Sequence, residues 1–127
     1  MEERLCILVV DDDADTLKLM TRLLNRHGYD VHPARTSEQA EERANGCGLI
    51  ISDIVLGAGD GLELMRDLKS RYGLKGIAVS GHAEPDDVQD AKEAGFDRFI
   101  AKPISLEDLL DTIRELMAQA VPIGSHN

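Results

Sequence analysis

Three consecutive aspartates, Asp11, Asp12 and Asp13, close one apolar run of the chain, and a fourth, Asp53, closes another. Ser80 and Lys102 close two more. Clustered carboxylates repel, and one of them holds its proton more tightly unless a cation intervenes. A hard divalent ion answers that crowding, and Mg²⁺ favours few carboxylates, several waters and a phosphate oxygen. Such an ion neutralises charge developing on a transferred phosphoryl group. Lys102 adds a compact positive charge for a second phosphoryl oxygen, and Ser80 a hydroxyl for a third. Asp53 is then left as the nucleophile, its carboxylate forming an acyl phosphate.

This chemistry requires the four runs to end at one place. Short apolar runs alternate with helical patterns along the chain, which is the signature of a parallel sheet built from βαβ units. Leu5–Val10, Leu49–Ser52 and Ile77–Ser80 are uninterrupted, as strands covered on both faces should be. Arg98–Ala101 is shorter. Tyr29–Pro33 reads as an edge strand, because Pro33 cannot donate to a ladder. Between them lie five helical patterns. Leu17, Met20, Leu23 and Leu24 share one face, stopped at Gly28. Ser37–Asn45 ends at Gly46. Leu62, Met65 and Leu68 mark a third helix. Glu84–Ala94 carries Pro85 in its first turn. Ser105 caps the last, with Leu106, Leu109, Leu110, Ile113, Leu116 and Met117 at helical spacing. Five strands and five helices in alternation imply an α/β doubly wound sheet, whose ligands bind beyond the carboxyl ends of the strands.

The pattern resembles the response-regulator receiver family from about Leu5 to Met117. The pieces that carry the resemblance are Ile7-Leu-Val-Val-Asp-Asp-Asp13, Leu49-Ile-Ile-Ser-Asp53, Asp60-Gly-Leu-Glu-Leu64, Ala78-Val-Ser-Gly81, Ala94-Gly-Phe-Asp97 and Phe99-Ile-Ala-Lys-Pro103. Each is weak alone; together, in this order and spacing, they are specific. The resemblance implies a flavodoxin-like five-stranded parallel sheet of order 2-1-3-4-5. It implies that Asp53 is phosphorylated by a histidine kinase or histidine phosphotransfer protein. It makes Asp11, Asp12, Asp53 and the backbone carbonyl of Val55 the ligands of Mg²⁺, with Mn²⁺ as an alternative ion. Lys102 matches the phosphate-binding lysine, Ser80 the switch hydroxyl and Phe99 the switch aromatic. The responding face spans the fourth helix, fifth strand and fifth helix, roughly 84–118, and is the expected surface for a homodimer. The receiver is expected over 4–119, with 120–127 as a flexible tail or the start of a linker. The run from Ser80 through Lys102 resembles receivers attached to hybrid sensor kinases more than those on DNA-binding regulators.

Three positions depart from the family pattern. Gly57 stands where proline is common, which frees the loop backbone. Val55 puts an apolar side chain two residues after the acceptor. His82 lies two residues after Ser80, so His82 rather than Val55 is the expected modulator of phosphoryl lifetime.

Composition removes several other classes. The 127 residues suit one domain, and a formal net charge of −10 repels nucleic acid and anionic lipid. Aromatics at 3% leave no platform for stacking bases. No apolar run reaches the length of a membrane span, so no membrane contact is expected of this segment, and a reduced state of its cysteines would fit the cytoplasm. Cys6 and Cys47 form no CxxC pair and read as lone reduced thiols. His27 and His32 have no ligand partner at helical spacing. Asp13 reads as a helix-start residue. Asp11, Asp13 and Asp15 imitate a calcium loop, but Leu17 and Arg22 do not fill its later positions. Two rival functions share the Asp53 pattern. A phosphohydrolase of the haloacid dehalogenase type would use Asp11 as nucleophile, yet Asp15 stands where Thr or Val belongs, and the chain lacks residues for a substrate cap. A non-phosphorylated receiver-like binding module would not need Asp11, Asp12, Asp53, Ser80 and Lys102 together. The expected activity is self-phosphorylation and self-dephosphorylation rather than turnover of a separate substrate.

Overall fold

In the computed structural model, which describes residues 4–56 and 59–118, the five apolar runs form one parallel sheet. Its strands are β1 (Cys6–Val10), β2 (Asp30–Ala34), β3 (Leu49–Asp53), β4 (Lys75–Ser80) and β5 (Arg98–Ala101). The order is β2-β1-β3-β4-β5, as the family resemblance implies. The helices are α1 (Ala14–Arg26), α2 (Ser37–Arg43), α3 (Gly61–Tyr72), α4 (Pro85–Ala94) and α5 (Leu106–Ala118). Gly57, the tail expected over 120–127 and the end of the expected receiver span at 119 lie outside the described residues.

Strand alternation sorts the core into two layers, because successive side chains of a strand point to opposite faces. Leu8, Val10, Ile50 and Ala78 pack with Leu64, Met65 and Leu68 of α3 and Ala91 and Ala94 of α4. Ile7, Val9, Leu49, Ile51, Ile77 and Val79 pack with Leu17 and Leu24 of α1 and Leu109, Ile113 and Leu116 of α5. Burying one such aliphatic side chain is worth about 1.5–3 kcal/mol, whereas an exposed ion pair is worth about 0–1 kcal/mol. The strand register is therefore set by apolar burial, and the charges at the sheet's rim are carried by it.

Local signals bound several helices as the sequence indicates, whereas α2 ends at Arg43, short of the expected Asn45. The Ser105 hydroxyl oxygen accepts the Asp108 backbone N–H at 3.3 Å. Gly73 and Gly95 close α3 and α4 with φ of 69° and 113°, values that favour glycine. Pro33 sits in β2, an outer strand, opposite Val9. The strand begins and ends one residue later than its apolar pattern suggests.

One expectation is overturned. Cys6 and Cys47 are not lone thiols; the structure joins them as a disulfide, with Cα atoms 4.5 Å apart. The cause is register. Ile7 lies opposite Leu49 in the parallel β1–β3 pair, and the Gly48 N–H donates to the Cys6 carbonyl at 3.0 Å, so the residues entering the two strands are neighbours despite a separation of 41 along the chain.

Candidate functional site

Parallel pairing brings four strand ends together. In register, Val10 of β1 faces Ser52 of β3, Asp53 faces Val79 of β4, and Ser80 faces Ala101 of β5. Asp11, Asp53, Ser80 and Lys102 are thus the residues at, or one past, adjacent strand ends, as the switch-point rule requires.

Lys102 ties the group together. Its backbone N–H donates to the Ser80 carbonyl at 2.8 Å, which fixes the chain as it leaves β5. Its ammonium donates to Asp53 Oδ2 at 2.8 Å and lies 3.8 Å from Asp11 Oδ2. The Lys102–Pro103 peptide is cis. The other Asp53 oxygen, Oδ1, accepts the Val55 N–H at 3.0 Å. A hydrogen bond to an ionised group is shorter and stronger than a neutral one, so both oxygens of the carboxylate are held in direction.

Asp11 is almost fully buried, with 5% of its surface exposed. Its Oδ1 accepts the Asp13 N–H at 2.9 Å. Burial pushes its carboxyl above the ordinary range, and the charges of Asp53 and Asp12 push the same way, against the Asp13 hydrogen bond and Lys102. Lys102 feels opposing influences. Partial burial disfavours its charge, but the hydrogen bond and charge of Asp53, together with Asp11 and Asp12, outweigh this and raise its pKa. Asp12 is exposed, and its carbonyl accepts a guanidinium N–H of Arg35 at 3.1 Å. Two carboxylates therefore share one ammonium, and Asp12 adds a third negative charge. A hard divalent cation fits this oxygen-rich, negatively charged donor set by charge and by ligand type.

Asp13 stands at the start of α1, as expected, but its cap is a side-chain pair. Its Oδ2 accepts the Thr16 hydroxyl at 2.5 Å. That bond leads the influences that hold its carboxyl below the usual range. Ser80 is buried and its oxygen accepts the His82 N–H at 3.0 Å, which leaves the hydroxyl proton free to donate. His82 is exposed and lines a cleft with Val55, Leu62, Ser80, Asp87 and Asp90. Val55, itself 57% exposed, pairs with Asp60 in a two-residue antiparallel ladder next to Asp53. Phe99 is half-buried, packed against the α3–α4 layer and lining a hollow beside α4, apart from the carboxylates.

Two features escape the sequence reading. Gly61 begins α3, and its N–H donates to the Ile54 carbonyl at 2.8 Å. A Cβ there would overlap the Asp53 carbonyl oxygen and lie 2.8 Å from Ile54 Cα. Glycine thus lets α3 press directly on the acceptor loop; its position just after Asp60 in the quoted motif was the available signal. His32, which has no ligand partner at helical spacing, lies with Nδ1 3.6 Å from Cys47 Sγ and Nε2 3.6 Å from Asp30 Oδ2. No spacing signal links residues on β2 to the entries of β1 and β3.

Comparison with known proteins shows the family and the fold. The description "Response regulator receiver domain" matches residues 7–114. The chain is 33% identical over 118 residues to the transcriptional regulatory protein AruR of Pseudomonas aeruginosa, covering 87% of this chain and 48% of that protein. It is 31% identical over 116 residues to the sensor kinase CckA of Brucella abortus, covering 87% of this chain and 12% of that one. The chain thus spans about half the length of the first of these relatives and a small part of the second. Among solved structures, a CheY-like response regulator receiver domain protein from Methanospirillum hungatei JF-1 superposes with a TM-score of 0.86 at 31% identity, covering 92% of this chain and 96% of that one.

Proposed function

The chain belongs to the response regulator receiver domain family of two-component signalling, and on that premise we propose that Asp53 is its phosphoacceptor. Phosphoryl acceptance is the general function of the family. The observation that carries the assignment to Asp53 is the Lys102 ammonium, 2.8 Å from Asp53 and 3.8 Å from Asp11, with the buried Ser80 closing the strand adjacent to Asp53.

In this reading the N–P bond of a phosphohistidine on a kinase or phosphotransfer protein breaks as an Asp53 oxygen forms the new P–O bond. The Val55 N–H keeps the carboxylate aimed. Lys102 moves its ammonium from the carboxylate to a phosphoryl oxygen, and Ser80 donates its hydroxyl to another. Asp11, Asp12, Asp53 and the Val55 carbonyl would hold Mg²⁺, with Mn²⁺ able to replace it. The ion supplies charge neutralisation at the phosphoryl group. Ser80 is drawn toward the new phosphoryl group, and Phe99 follows into the space it vacates, which alters the α4-β5-α5 face. The same face is our proposed homodimer surface; a solution mass that doubles on phosphorylation would establish it.

An apolar hollow of about 520 Å³ lies between α1 and α5. Leu19, Met20 and Leu23 line it and Lys102 sits on its border. Leu19 is 56% exposed. We assign this surface to the phosphodonor protein, because it leads to the acceptor. Among the described residues no helix is long and apolar enough to cross a membrane. A cytoplasmic setting, without nucleic-acid or membrane contact by this segment, completes the proposal, as does membership of a longer regulator or hybrid kinase.

Treatment with a small acyl phosphate should add the mass of one phosphoryl group, only with Mg²⁺ present. Asp53→Ala should remove the gain; a gain that survives this substitution refutes the assignment. His82 borders the cleft beside Ser80 and is our proposed modulator of hydrolysis. His82→Ala should change the decay rate of the phosphorylated form by about three- to tenfold, and an unchanged rate rejects that role.

A further inference from the structure

The carboxyl ends of β1 and β3 carry the acceptor site, and their entries carry a second chemical group. Cys6 opens β1 and is partly exposed, whereas Cys47, just before β3, is buried. Around Cys47 Sγ stand the Arg43 carbonyl oxygen at 3.6 Å and His32 Nδ1 at 3.6 Å. The donor and acceptor roles there follow from the partners. His32 Nδ1 also lies 3.1 Å from the Arg43 carbonyl oxygen, which can only accept. The proton of the neutral ring therefore sits on Nδ1, and that N–H faces both the carbonyl and the sulfur. Asp30 Oδ2 lies 3.6 Å from Nε2, on the far side of the ring from the sulfur. A hydrogen-bond donor at this place stabilises a thiolate on Cys47.

We propose that Cys6 and Cys47 form a reversible dithiol–disulfide centre, in which Cys6 exchanges with small thiols of the glutathione class and Cys47 leaves and returns as a thiolate held by His32. In reduction, a glutathione thiolate attacks the Cys6 sulfur. The Cys6–Cys47 bond breaks, its electron pair leaves on Cys47, and a Cys6–glutathione mixed disulfide forms. A second glutathione thiolate releases Cys6, so two thiols are oxidised to one glutathione disulfide. The two protons they shed end on Cys6 and on Cys47 or its surroundings. In oxidation the steps reverse: Cys6 attacks glutathione disulfide, and Cys47 then attacks Cys6. Attack at the more exposed cysteine, with departure of the better stabilised thiolate, is the faster course for such exchange.

The centre does not depend on the phosphoacceptor reading, and its test is separate. The folded chain is reduced, freed of reductant and exposed to glutathione disulfide, then weighed. The reclosed disulfide should lower the mass by about 2 Da relative to the dithiol form. Cys47→Ser should trap one glutathione on Cys6, and Cys6→Ser should take up glutathione at least about tenfold more slowly. His32→Gln should slow reduction of the disulfide by about tenfold with an unchanged melting temperature, a combination that a merely structural role would not produce. Thiols that stay free in glutathione disulfide, glutathione trapped equally well on Cys47, or a His32→Gln chain reduced at the parental rate would each overturn the proposal. So would a reduced chain that carries zinc after purification, since the ligand atoms of Cys6, His32 and Cys47 all lie within 4.8 Å of one another.

Discussion

The same two strands end in opposite chemistries. At their carboxyl ends β1 and β3 deliver Asp11 and Asp53, two carboxylates held by one ammonium. At their entries they bring Cys6 and Cys47 together as a disulfide, backed by a histidine from β2. Between the two lie Ile7, Leu8, Val9 and Val10 in one strand and Leu49, Ile50, Ile51 and Ser52 in the other, all nearly or fully buried and apolar except Ser52. The apolar register fixes both ends at once. What differs is charge. The carboxyl rim gathers like charges that only a cation relieves, so it is poised to bind. The entry pairs two soft sulfurs that relieve each other by bonding, so it is closed until a thiol opens it.

Substitutions at the two ends should therefore separate cleanly. The largest effect is expected at Lys102. Lys102→Ala removes the ammonium shared by Asp53 and Asp11 and should slow phosphorylation by a small acyl phosphate on the order of 100-fold, whereas Cys6→Ala should leave that rate within about twofold. Equal effects at the two positions would mean that the ends are coupled. Next is Gly61→Ala. Its new Cβ meets the Asp53 carbonyl, so urea denaturation should report a loss of about 1–3 kcal/mol, the usual range for overpacking. The disulfide should still form in that variant, because the overlap lies at the far end of the strands.

The smallest effect sharpens the comparison by its sign. Asp11 has a carboxyl raised by burial, so its charged form costs the fold stability. Metal-free Asp11→Asn should melt higher than the parent at neutral pH, and the gap should close as acid protonates Asp11 in the parent. Asp13 is lowered, chiefly by the Thr16 hydroxyl, so its contribution has the opposite sign. It is present above the ordinary carboxylate range and is lost as pH falls through the lowered value. Asp13→Ala should melt lower at neutral pH and converge with the parent in acid. Thermal melts from neutral pH into acid would expose either sign as wrong.

The two ends also differ in how much the sequence reveals of them. The acidic rim is legible because a rule connects distant residues. Polar groups that follow apolar runs in a βα alternation must meet at one rim, so the sequence alone groups Asp11, Asp53, Ser80 and Lys102. Nothing comparable connects strand entries. Cys6 and Cys47 look isolated at a separation of 41, and His32 looks like an ordinary residue of an outer strand. Their meeting depends on a register that aliphatic residues decide without marking it. Gly61 falls between these cases. Its place after Asp60 is visible, but the close approach of α3 to the Asp53 carbonyl is a matter of helix placement, which periodicity leaves open.

The central claim is the identity of the nucleophile, and it is tested most directly by locating the phosphoryl group. The chain is phosphorylated with a small acyl phosphate and Mg²⁺, trapped by reduction of the acyl phosphate with borohydride, digested and sequenced by mass spectrometry. The modification should lie on Asp53, in the peptide that spans the end of β3. A modification on Asp11 instead would contradict the account and make this rim a hydrolase-type centre.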